Sequence, residues 1–343
     1  MDFKKIFIKD ACPTKVGGQA VLEGIMMKGE DRTAVVVRMP GGQMHIKTER
    51  LAERSKAAEI PIVRGVYIFV STLITGMKTL MYSAEVLGEL NEEEGSAETS
   101  NDEGGIPFGV MIALSVVLAI AMVVGIFIIV PTVVVNFLGG YVTNAIALNL
   151  IEGAFRIMLF VVYIAVISNM KDIRTTFEYH GAEHKTIHCY ESGLPLTPAN
   201  AAQFETLHPR CGTSFLMFVM IIALLLFSLL GWPDLLIRIA TRILFIPVIA
   251  GLSYELLRFA GRSDSWLVKT LSVPGLLLQQ LTTKNPDERE LEVAIAALNA
   301  VMVPADTPVI EGFCAQDGTL LPAENTAHID FVDIILEKYN SSR

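Results

Sequence analysis

The sequence predicts a mainly α-helical polytopic membrane protein. It should have four transmembrane helices, one or two interfacial or re-entrant helices, and a small cytoplasmic α+β cap. Three observations lead there. Hydrophobic residues make up 52% of the 343 and charged ones 18%, with a mean hydropathy of +0.50; a soluble domain carries about 25% charged residues. Four apolar runs approach the ~20 residues that a helix needs to cross ~30 Å of hydrocarbon. The polar stretches between and around them carry strand and helix signals of their own.

Residues 1–58 are polar and read as a β-rich N-terminal segment. Thr33–Met39 and Met44–Arg50 flank Pro40-Gly41-Gly42-Gln43, which is a hairpin pattern of β-branched residues around a turn that takes positive φ. The opening MDFKKIFIKDACP has no apolar core and no small-residue cleavage site, so no signal peptide is expected. Residues 60–82 are apolar but include Arg64 and Lys78 and read as an interfacial or re-entrant helix. Residues 83–105 hold eight acidic residues and no Lys or Arg, a linker unable to bury enough apolar area to order itself.

The expected spans are 107–130, 146–168, 214–231 and 235–257, paired as hairpins over 107–168 and 214–257. The stretch 131–145 is read as an uncharged loop. Only Trp232-Pro233-Asp234 separates the third span from the fourth. Residues 266–281 are short and interrupted by Pro274-Gly275, an interfacial or re-entrant piece within a basic segment over 258–284. Residues 285–343 form an acidic helix and tail. Its first part, Asp287–Met302, starts with acidic residues as helix N-termini favour and presents a small-residue face of Val293, Ala296, Ala297 and Ala300.

Loop charge sets the orientation. Lys171, Arg174, Lys185 and Arg210 fall in 169–213, and Arg258, Arg262, Lys269 and Lys284 follow the fourth span. Four crossings put both termini and the His-rich loop on the cytoplasmic side of a bacterial cytoplasmic membrane. A fifth crossing by 60–82 would put that loop outside.

The net charge of −9 and a pI near 5.3 exclude a general nucleic-acid binder, which would show a basic face. Membrane lipid, and other membrane proteins, are the expected partners. Cys12, Cys189, Cys211 and Cys314 are too scattered for a disulfide framework.

The chemistry concentrates in the loop 169–213. His180, His184 and His188 recur every fourth residue, so on a helix they stack along one face about 6 Å apart. His180-Gly181-Ala182-Glu183-His184 is an H-x-x-E-H pattern, in which two imidazoles one turn apart grip a metal. Glu183 beside them can hold a water and take its proton. His208-Pro209-Arg210-Cys211 supplies a second half. The outer two of the stacked histidines lie ~12 Å apart along the axis, so the helical pair is His180 with His184 or His184 with His188. A closed His/His/His/Cys set would be structural, and three ligands with an open position catalytic. The expected ion is a divalent metal, zinc by the softness of the donors. The bland alternative is a surface stripe of hydrogen-bonded histidines. Gly181 weakens a helix by ~1 kcal/mol, so the helix is expected to begin there.

Further candidates lie outside that loop. Glu152 and Arg156 are one turn apart within a span and can neutralise each other. Arg238 and Arg242 share a face of the fourth span and need a partner, either Glu152 or a lipid phosphate. In Val16–Gly29, Gln19 and Glu23 are polar candidates in a Gly-rich, turn-rich strand segment that lacks phosphate-loop spacing.

GGQAVLEGIMMKG, PIVRGV with Arg64, YHGAEHKTIHCYE and HPRCGTSF resemble the signatures of the YqhQ-like family of uncharacterised bacterial integral membrane proteins, over roughly residues 14–300. That family is labelled a predicted metal-dependent enzyme. The resemblance implies a metal on His180, His184, His188, His208 and Cys211, and it supplies no substrate. Two functions from different classes are therefore carried forward. One is a membrane-surface metal-dependent hydrolase with Glu183 as general base. The other is a non-catalytic membrane factor, serving membrane-protein or lipid homeostasis, in which the His/Cys cluster only pins the cap. Transport through Glu152, Arg156, Arg238 and Arg242 is disfavoured by the few spans and the absence of a visible inverted repeat.

Overall fold

A computed structural model describes residues 6–7, 12, 14–51, 60–88, 108–260 and 266–314. Of the expected linker over 83–105, residues 83–88 are described, and 83–86 complete the helix Val63–Val86 instead of starting a disordered stretch; the rest of it and the end of the tail lie outside the described residues.

Five strands form one antiparallel meander: β1 (Gly17–Val21), β2 (Gly24–Lys28), β3 (Arg32–Arg38), β4 (Met44–Arg50) and β5 (Glu311–Cys314). The expected hairpin is β3–β4, with Val36 opposite Ile46 and Gly42 taking φ +86° in its turn. β4 alternates buried and half-buried residues as far as Thr48, whereas every residue of β3 is buried. The reason is that both faces of the sheet are covered. On one face Ile25, Met27, Ala34, Val36 and Ile46 pack with Leu291, Val293, Ala297 and Leu298 of the acidic-capped helix and with Tyr179 and Ala182 of the histidine helix. On the other, Val21, Met26, Val35 and Val37 pack with Tyr82 and Val86.

Among the described residues the helices longer than one turn are α1 (Val63–Val86), α2 (Phe108–Val124), α3 (Val130–Asn136), α4 (Ala145–Ile167), α5 (Lys171–Glu191), α6 (Gly212–Ser228), α7 (Leu235–Leu244), α8 (Ile246–Ala260), α9 (Trp266–Thr282) and α10 (Glu288–Val301). A π turn, Gly125–Ile129, joins α2 to α3, and a 3₁₀ turn, Phe137–Gly140, extends α3. The α10 start is a capping box: Asp287 accepts from the Glu290 amide, and the Glu290 carboxylate accepts from the Asp287 amide, satisfying two orphan donors.

Among the described residues two helices are long and apolar enough to cross a membrane, Leu114–Gly140 and Ala145–Ile167, and α7 with α8 makes a third if the bent pair is one span. The expectation of four spans is thus met only in part, for local reasons. α6 is apolar but has 17 residues, about 26 Å at 1.5 Å per residue. The expected fourth span is bent by 46°, because Pro247 cannot donate back into α7 and seats itself in the first turn of α8.

Other boundaries move too. The stretch 131–145, read as a loop, is helical to Gly140. Pro131 lies near the start of α3, where a missing amide is tolerated. α9 runs unbroken through Pro274. Gly275 lets it meet α6, since a β-carbon there would lie 2.5 Å from Ser214 Oγ. α1 joins α8 by a small-residue crossing at Gly65 and Gly251 and by Arg64, which donates to both Glu255 oxygens.

Candidate metal centre

α5 carries the histidine stripe and starts at Lys171, ten residues before Gly181. The expectation that it begins at Gly181 is corrected. Glycine is there for space: a β-carbon on it would lie 1.9 Å from the Lys284 carbonyl oxygen. The turn after α9 crosses α5 at that point, with the Lys284 amide donating to the Phe177 carbonyl at 2.8 Å.

His180 and His184 point to one place, and Cys211 meets them there: one ligand atom from each lies within 4.8 Å of the others. Backbone carbonyls orient both imidazoles. His180 Nδ1 donates to Thr282 O at 2.9 Å and His184 Nδ1 to Thr206 O. A carbonyl only accepts, so each ring carries a proton on Nδ1 and turns its Nε2 inward, which is the outer-shell arrangement of metal-binding histidines. His180 Nε2 lies 3.1 Å from Cys211 Sγ. His184 Nε2 is buried with no partner. Burial depresses the His184 pKa, keeping its lone pair available.

Cys211 is the N-cap of α6, its sulfur accepting from the Thr213 amide at 3.4 Å. Burial alone would raise its pKa, but His184 and the Thr213 donors outweigh that and hold the thiol below its ordinary value. A helix N-terminus favours thiolate in the same sense.

Glu183 is on the neighbouring face of α5. Burial pushes its carboxyl up to about 7, against the pull of His180 and of the Gly18 amide that donates to it. Its Oε2 is buried and unpartnered. The closing pair Val21–Gly24 is hydrogen-bonded across a two-residue turn, so Gly18 turns its amide away from β2 and toward α5.

His188 and His208 stand apart from the triad, although the ring row is continuous: centroids are 4.5 Å apart for His180–His184, 5.5 Å for His184–His208 and 4.6 Å for His208–His188. His188 Nε2 donates to the Leu207 carbonyl. Burial holds both rings neutral, with pKa values near 4. His208 lies 3.9 Å from Glu191, too far for a hydrogen bond. Glu191 accepts from Arg210 and from the Thr14 amide and hydroxyl. Burial would raise its pKa; these donors, with His208, more than reverse that.

A cavity of about 660 Å³ opens on the triad, lined also by Gly17, Gly18, Glu183, Thr72 of α1 and Leu216 of α6. It therefore sits where the cap meets the apolar helices. Gln19 lines it and rests on Gly76 of α1, where a β-carbon would lie 2.6 Å from its Oε1. Glu23 is in the β1–β2 turn at φ 47°, its charge felt by Tyr179 and Glu290 and outside the cavity lining. Arg64 is spent on Glu255. Glu152, Arg156, Arg238 and Arg242 gather in a second cluster within the apolar helices, described below. Sequence reasoning missed the Thr206 and Thr282 carbonyls, which leave no side-chain signal. It also missed Gln279, which clamps the His208 backbone at 2.8 and 2.9 Å; a fully buried glutamine in the run LLLQQL was the available clue.

Comparison with known proteins adds lineage. The chain is similar to the uncharacterized protein YqhQ of Bacillus subtilis (strain 168), 32% identical over 299 residues, covering 86% of this chain and 94% of that protein. No solved structure matches it. Residues 60–303 match the family model described as protein of unknown function (DUF1385). With that much of its length inside the model, the chain belongs to the DUF1385 family.

Proposed function

We propose that this protein is a metal-dependent hydrolase of the bacterial cytoplasmic membrane. Its site faces the cytoplasm, with one zinc ion held by His180, His184 and Cys211. The observation that carries this reading is His184 Nε2, buried and unpartnered while Nδ1 is fixed by a carbonyl. An uncompensated buried acceptor costs about 1–3 kcal/mol, and a cation beside a neighbouring thiol offsets it. Two imidazoles and a thiolate suit zinc over magnesium or calcium, which want oxygen.

Three protein ligands leave an open position, the pattern of catalytic rather than closed structural zinc. Zinc there would act as a Lewis acid on the bond to be hydrolysed. Glu183 is the general base in this reading: a carboxyl near pKa 7 with a free oxygen at the cavity can take a proton and return it. The cavity wall of Thr72 and Leu216 supports a substrate met at the membrane surface. The basic loops flanking the apolar helices support the cytoplasmic orientation.

Elemental analysis tests the metal. About one zinc per chain is expected in the wild type and much less in His184→Ala; undiminished zinc in that variant, or zinc-free protein that still functions, overturns the reading. Glu183→Gln tests the chemistry. It should keep zinc and fail to complement a strain lacking the protein. The Glu191–Arg210 pair, which ties Thr14 to the end of α5 beside His208, favours a second reading in which the cluster pins the cap of a non-catalytic membrane factor. Full complementation by Glu183→Gln would select it.

A further inference from the structure

The second polar cluster lies among the apolar helices, near the end of α6 opposite Cys211. Glu152 is 1% exposed and accepts from Arg156 at 2.8 Å, from Arg242 at 2.5 Å and from Thr132 Oγ1 at 2.8 Å. Arg238, one turn before Arg242 on α7, is 2% exposed. It donates to Asn136 Oδ1 at 2.7 Å and lies 3.7 Å over the Trp232 ring. Among the described residues no ion pair joins Arg238 to a carboxylate, although Asp234 lies one turn away. Three guanidiniums thus face one carboxylate. Nε and Nη1 of Arg238 and Nε of Arg242 are buried with no partner.

Such an excess is unfavourable among apolar helices. Buried charges pair, or they bind something. Asn136, Asn149 and the Trp232 ring are neutral and leave the two positive charges uncompensated. The surroundings are lipid-like: Leu229 and Leu236 are each 80% exposed and Leu244 73%, and a tryptophan beside such residues sits at the level of head groups.

We propose that the Arg238–Arg242 face of α7 binds a phosphate-class oxyanion, the head group of an anionic lipid whose chains cover Leu229 and Leu236, or the same anion free in solution. Guanidinium is the side chain best matched to phosphate oxygens. The site is separate from the metal centre and stands or falls without it.

The purified protein in detergent, titrated with dihexanoyl phosphatidic acid, dihexanoyl phosphatidylcholine and inorganic phosphate, tests this through its thermal midpoint and tryptophan fluorescence. Phosphatidic acid should raise the midpoint and perturb fluorescence well below the phosphatidylcholine concentration that does so. A response to the lipid alone identifies a head-group site. An equal response to inorganic phosphate identifies a soluble anion. Either supports the oxyanion. Arg238→Gln should weaken binding roughly tenfold to a hundredfold, the worth of one charge-assisted hydrogen bond or more. Should that variant fail to fold, Arg238→Lys keeps the charge but loses the planar donor set, and it should bind measurably more weakly. No preference for the anionic lipid or phosphate over phosphatidylcholine, or unchanged binding in the Arg238 variants, overturns the proposal.

Discussion

Gly18 donates its amide to the Glu183 carboxylate, and a β-carbon on Gly18 would lie 2.8 Å from Glu183 Cδ. An edge strand and a helix thereby fix the direction of one carboxyl group. The same β-carbon would lie 2.8 Å from the Met26 carbonyl oxygen, so Gly18→Ala should shift β1 and turn Glu183 away from the cavity while leaving His180, His184 and Cys211 in place. The expected outcome is protein that retains zinc but complements poorly. Complementation equal to wild type would show that the position of Glu183 does not matter.

Gly181 gives a sharper steric test. On an exposed helix, Gly→Ala stabilises by about 1 kcal/mol. Here the new methyl would meet the Lys284 carbonyl oxygen at 1.9 Å, so the sign reverses. Overpacking against backbone costs typically 1–3 kcal/mol, and more where nothing yields. Gly181→Ala should lower the thermal midpoint and disperse the size-exclusion peak; a raised midpoint would place α5 away from the 284 turn.

Much of this organisation is legible in the residues, and the illegible parts share a cause. The β3–β4 hairpin, the acidic start of α10 and the stacking of His180, His184 and His188 follow from local pattern: period two, acidic residues at a helix N-terminus, and spacing of four, which offers His180–His184 and His184–His188 equally. The failures are tertiary. Nothing near Gly181 in sequence announces that residue 284 passes over it. That Cys211 rather than His188 meets His180 and His184 depends on how α6 begins relative to α5. His208, three residues from Cys211, lines the same cavity but packs its ring 4.6 Å from that of His188 and falls outside the three-residue group. The four-span expectation is met only in part: Pro247 bends the fourth run and α6 stops at 17 residues, while Pro131 sits in an early turn of a helix that runs on through the expected loop.

His188 provides a pH test. Burial holds its folded pKa near 4, below the ordinary 6.5. The folded state therefore binds fewer protons than the unfolded state between those values. His188 weakens the fold as pH falls through 6.5, and its penalty is complete below about 4. Gln can still donate to the Leu207 carbonyl but does not titrate. In metal-free protein, the stability difference should move in favour of His188→Gln by up to about 1.4 kcal/mol per pH unit across that window. Parallel midpoint curves for the two proteins from pH 7 to 5 would mean that His188 is not buried in its neutral form.

The charges among the apolar helices give the last test. Pro131 has no amide for the carbonyl four residues back, and that carbonyl, of Phe127, accepts instead from Arg156 Nε at 2.7 Å. Arg156 also holds Glu152 Oε1 while Arg242 holds Oε2. One carboxylate therefore links the proline-bearing first apolar helix, through its arginine cap, to α7. Removing one partner of a buried pair leaves the other charge uncompensated, typically at about 3–5 kcal/mol. Glu152→Gln preserves shape and hydrogen-bonding capacity but removes the charge, so it should lower the midpoint in detergent strongly. Adding Arg242→Leu removes one orphaned charge and should recover part of that loss, a non-additivity that marks direct coupling. If the two substitutions simply add, Glu152 and Arg242 are not a pair in the folded protein, and Arg242 must find its counter-charge elsewhere.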